Sequence, residues 1–83
     1  MEYLLVRFDQ QRRVLINGLR NGFTNSILQL ERGSYEITLE PPPNFSPLSQ
    51  SVRLQNTAPI DPYQVTFHKL PPAAIPPSPG APR

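Results

Sequence analysis

Residues 3–8 alternate, with Leu4, Val6 and Phe8 in one phase and Tyr3, Leu5 and Arg7 in the other, the period-2 pattern of a half-buried strand. Asp9, Gln10 and Gln11 break the alternation, and Val14 and Ile16 restart it. Two such runs across a short polar connection predict an antiparallel hairpin of residues 3–8 with residues 13–17. Asn17-Gly18 follows, a dipeptide tolerant of positive φ, and reads as the tight turn that ends the second strand. Asn21-Gly22 repeats that chemistry, so residues 18–24 are expected to wind as a loop at one end of a sheet.

Residues 25–32 admit two readings. Thr24 or Asn25 can cap a short helix that ends at Gly33, or Leu28 and Leu30 can alternate with Gln29 in a strand. The strand is preferred, because an isolated helix this short is poorly stabilised. Glu31-Arg32-Gly33-Ser34 then reads as a hairpin connection into a cleanly alternating strand, with Tyr35, Ile37 and Leu39 inside and Glu36, Thr38 and Glu40 outside. Pro41-Pro42-Pro43 ends it, since proline donates no ladder hydrogen bond.

Beyond the prolines, residues 44–49 form a loop in which Phe45 is the one large apolar side chain able to pin it to the core. Val52 and Leu54 define a fifth strand; Val65 and Phe67, led by Tyr63, define a sixth. Pro59 and Pro62 make the connection 56–62 extended rather than a tight hairpin turn. The pattern predicts an all-β fold, a small antiparallel β-sandwich of about six strands over residues 1–70. From Pro71 the chain reads PPAAIPPSPGAPR, expected to be a flexible proline-rich tail. Its PxxP spacings, Pro76 to Pro79 and Pro79 to Pro82, make a proline-rich ligand for an aromatic-lined groove the alternative.

Half of the 12 prolines fall after Leu70, which leaves about seventy residues to fold. A core of that size is worth only a few kcal/mol net, roughly 3–5. No cysteine is present to add a disulfide or a thiolate metal site. The net charge is +2, and seven of the eight basic side chains are arginine, interspersed with acids rather than gathered in a block. That arrangement describes a solvated surface better than a nucleic-acid patch. The run Leu4-Leu5-Val6 is too short for a signal-peptide core or a bilayer span, so a complete chain of this sequence is expected in the cytoplasm.

The spacing of these pieces resembles the PEGA-type domain of bacterial and archaeal proteins. The places of that pattern are filled by Val14 and Ile16, Asn17-Gly18, Gly22 and Thr24, Leu28 and Leu30, Gly33 and Tyr35 leading to Ile37 and Leu39, and later Val52 and Leu54. The match covers about residues 12–70. Asn25 stands where the family usually has proline, and Asn44-Phe45 where it usually has glycine and an aromatic. The resemblance implies a small non-catalytic β-sandwich that serves in binding, often appended to surface proteins or kinases.

The residues themselves bring no catalytic machinery together. His68 is the only histidine, the carboxylates stand singly, and residues 17–22 lack the Lys-Ser/Thr ending and helix of a P-loop. No enzyme activity, metal or cofactor is expected. The expected role is a protein-interaction module or homodimer. Its candidate residues are Leu5, Leu15, Leu19, Arg20 and Phe23, apolar or basic side chains on the outer phase or in the loop 18–25. Gly18, Gly22 and Gly33 are expected to serve the turns. A single-stranded nucleic-acid barrel, with Tyr3 near Arg7 and Phe23 near Arg20 as stacking sites, is the less favoured alternative. Carbohydrate binding rests on the family's surface habit alone.

Overall fold

The computed structural model describes residues 1–71; the proline-rich tail read from the sequence lies outside the described residues but for Pro71. The described chain is all-β. Its strands are Glu2–Arg7 (β1), Arg13–Ile16 (β2), Leu19–Phe23 (β3), Ile27–Leu30 (β4), Gly33–Leu39 (β5), Phe45–Ser46 (β6), Gln50–Leu54 (β7), Tyr63–Thr66 (β8) and His68–Lys69 (β9). A three-stranded sheet ordered β4-β1-β8 faces a four-stranded sheet ordered β3-β2-β5-β7, and β6 pairs with β9.

Alternation builds the core between them. Leu4, Val6, Phe8, Leu28, Val65 and Phe67 come from one side, and Val14, Ile16, Ile37, Leu39, Val52 and Leu54 from the other, all buried in one cluster. Each such side chain contributes about 1.5–3 kcal/mol of transfer free energy, which is what closes two half-apolar sheets on each other. At one end Phe45 stands edge-on between Phe8 and Phe67, with ring centroids 6.2 and 5.6 Å away. Phe45 is 3% exposed and pins residues 44–49 to the core as the sequence predicts, although Phe45–Ser46 are the strand β6 rather than part of a loop. Arg12 closes this end, its guanidinium 5.1 Å from the Phe8 centroid while Nη1 donates to the Pro42 carbonyl at 2.9 Å and to Asn44 Oδ1 at 2.6 Å.

Several pairings differ from those expected. β1 and β2 are not a hairpin: β1 pairs with β4 antiparallel and with β8 parallel, whereas β2 lies in the other sheet. The reason lies in residues 24 and 25. Thr24 Oγ1 accepts from the Arg12 N–H at 2.8 Å and donates to the Gln10 carbonyl at 2.8 Å. Asn25 Nδ2 donates to the Phe8 carbonyl at 2.9 Å and its Oδ1 accepts from the Phe8 N–H at 3.2 Å. These bonds satisfy the backbone of the connection 8–12 while it crosses between sheets, so a tight return is not required.

β4 and β5 likewise fall in different sheets, so Glu31-Arg32 is a crossing and not a hairpin connection. Residues 18–24 are not a winding loop; most of them form β3. Tyr63 keeps the inward phase beside Val65 but is 42% exposed at the strand end. The connection 56–62 carries a tight turn after all, with Ala58 and Asp61 exchanging backbone hydrogen bonds of 3.2 and 2.9 Å. It leads to the parallel partner β8 rather than to a hairpin mate.

Candidate functional site

The β2–β3 hairpin gathers four of the five residues singled out from the sequence. Its turn is Asn17-Gly18, with φ of 52° and 82°, the doubly positive turn whose twist matches paired strands. Asn17 is also tied sideways: its N–H donates to the Glu36 carbonyl and its Oδ1 accepts from the Glu36 N–H, both at 2.9 Å. Ile16 stands opposite Leu19, Leu15 opposite Arg20 and Arg13 opposite Phe23, with a register shift between the last two pairs. Two residues of β3, Asn21 and Gly22, therefore face Val14 alone, which is a β-bulge.

Gly22 sits at φ 67°, and a Cβ there would collide with Leu28 Cδ2 on the facing sheet. The second Asn-Gly dipeptide is thus a bulge, not a second turn. Gly33 opens β5, where a Cβ would make ordinary contact with the Tyr35 ring.

Leu15 is half-buried on the outer face of the four-stranded sheet, between Arg20 and Thr38. Leu19 lies next to the turn at 73% exposure. Arg20 pairs with Glu40, its Nε donating to Oε1 at 2.9 Å. Phe23 is 38% exposed, and the Arg13 guanidinium stands 4.1 Å from its ring centroid. Leu5 is elsewhere: it projects from the outer face of the three-stranded sheet, beside Ile27 and Gln64. The sandwich separates it from Leu15, so the two belong to different surfaces.

Sequence reading passed over Arg13, Glu40 and Ile27. Arg13 becomes a partner of Phe23 only once the bulged register is known. Ile27, 45% exposed, was signalled by its phase opposite to Leu28. Elsewhere, Glu2 Oε1 accepts from the Thr57 hydroxyl at 2.6 Å and the Thr57 N–H at 3.0 Å, and these bonds hold its carboxyl below its ordinary value of 4.5. His68 is exposed on β9. Among the described residues no three His, Cys, Asp or Glu side chains cluster to hold a metal, and no helix is long and apolar enough to cross a membrane.

The arrangement offers binding groups: an exposed leucine at a hairpin tip, an aromatic ring with one face under an arginine, and a hairpin arginine paired with Glu40 just past β5. No family model, curated protein or solved structure matches the chain. The fold defines the class, a small β-sandwich domain.

Proposed function

We propose that this domain is a non-catalytic protein-interaction module that binds its partner through the β2–β3 hairpin. The observation that carries the reading is the convergence of Leu15, Leu19, Arg20 and Phe23 on one hairpin, with Leu19 left 73% exposed. A single exposed leucine is ordinary, and Leu19, opposite Ile16, lies on the other phase of β3 from Arg20 and Phe23. What marks the hairpin is an aromatic and two arginines, Arg13 and Arg20, on its outer face beside the half-buried Leu15, with an exposed leucine at its tip. The PEGA-type resemblance agrees with a binding role, although its usual proline has no place at Asn25, whose φ of 64° a proline ring forbids. Single-stranded nucleic acid is the weaker reading: one face of Phe23 lies under Arg13 and Arg20 is paired with Glu40.

The test is affinity capture from lysate with quantitative mass spectrometry, using wild type, a Leu19→Asp/Phe23→Ser double variant and Leu5→Glu as a control on the opposite face. Proteins retained by wild type and by Leu5→Glu but lost from the hairpin variant support the assignment. Identical captured sets for wild type and the double variant, with both folded by circular dichroism, overturn it. Self-association is read separately by sedimentation velocity: a dimer abolished by the hairpin variant makes the partner a second copy.

A further inference from the structure

The four-stranded sheet ends, on the side away from the hairpin, at β7, which pairs only with β5. No backbone group of residues 50–54 has a further hydrogen bond among the described residues. Alternate N–H and C=O groups of β7 therefore face outward, the template that an added strand requires. The other edges are less open or less selective. β3 is bulged at Gly22, β8 follows Pro62 and runs on into the β6–β9 pair, and β4 has four residues and no charge.

Arg53 gives β7 a chemical preference. It is exposed, stands opposite Ser34, and forms no ion pair among the described residues. The acid nearest in register on that face is Glu36, which is opposite Ser51 and so diagonal to Arg53. Diagonal neighbours lie about 7–8 Å apart and direct ones about 4.5–5.5 Å, so a residue on the free side of β7 would approach Arg53 more closely than Glu36 does. A shallow depression lined by Ser34, Tyr35, Ser51, Val52 and Arg53 accompanies the edge, and its apolar part is the Tyr35–Val52 pair on the inward phase.

We propose that β7 accepts an extended acidic peptide as a fifth strand of this sheet. A carboxylate sits across from Arg53, and the flanking residues, which point the other way, are apolar and continue the Tyr35–Val52 row. The site does not depend on the hairpin reading, because the two surfaces are opposite edges of one sheet.

The experiment titrates the full chain with acetyl-Ser-Val-Glu-Val-Ser-amide, followed by 15N–1H NMR, beside the same peptide with lysine in the central position. Saturable amide shifts centred on residues 50–54 are expected. Replacing the central glutamate by lysine, or Arg53→Glu in the protein, should each weaken binding roughly tenfold, the cost of turning a cross-strand attraction into repulsion. Arg53→Glu should bind the lysine peptide better than wild type does. Shifts centred on β3 or β4, equal binding of the two peptides by wild type, or no shift at millimolar peptide would overturn the proposal.

Discussion

Gly18 and Gly22 both have positive φ, yet their surroundings separate them. An alanine at either must enter the left-handed region, which costs about 1–2 kcal/mol for an L residue. At Gly18 nothing lies within 4 Å of the added Cβ, so that is the whole cost. At Gly22 Leu28 must also move, adding about 1–3 kcal/mol of overpacking. Urea denaturation should therefore show Gly22→Ala clearly less stable than Gly18→Ala. Glu2 gives a pH counterpart. Its carboxyl titrates lower when folded than unfolded, so its contribution is complete above the ordinary value of 4.5 and is lost as pH falls through the folded value. Glu2→Gln should flatten the acid limb of urea midpoints below that pH and leave the neutral limb's shape unchanged; an unaltered acid limb refutes the assignment.

At the scale of the element, the strand phases were legible, because period-2 alternation depends only on which side chains enter the core. Val14 with Ile16, Ile37 with Leu39, and Val52 with Leu54 all lie inside as their phases predict. Pairing partners were not legible. Nothing local distinguishes the polar connection 8–12 as a crossing from a hairpin loop; that depends on Thr24 and Asn25, twelve to seventeen positions away, capturing its backbone. Asn21-Gly22 misled for a related reason, since positive φ serves a bulge as well as a turn. The candidate site was accordingly half readable: Leu19 and Phe23 stand out as apolar residues in a glycine-bearing segment, whereas Arg13 over Phe23 and the separation of Leu5 from Leu15 follow from register and sheet assignment.

On the scale of the whole molecule, β1 and the last part of the described residues close the fold. β1 pairs in parallel with β8, bringing Leu4 beside Tyr63, and the tie from Thr57 to Glu2 reinforces that union. Contacts of such sequence separation favour slow folding, in the millisecond-to-second range of all-β domains. They also make unfolding a single cooperative event. Phe67, 2% exposed against Phe45, is part of that closure. Phe67→Ala should cost about 3–5 kcal/mol, comparable to the whole stability of a core this small, and leave the chain largely unfolded at 25 °C by circular dichroism. Leu19→Asp, by contrast, removes little buried surface and should shift stability by less than about 0.5 kcal/mol. A conspicuous side chain that the fold does not need is what the interaction reading requires. The most direct measurement is hydrogen–deuterium exchange on the free chain and on the chain bound to its captured partner. The account predicts that slowed exchange is centred on residues 15–23 of the β2–β3 hairpin; slowing centred on β1 and β4, with the hairpin unchanged, would contradict it.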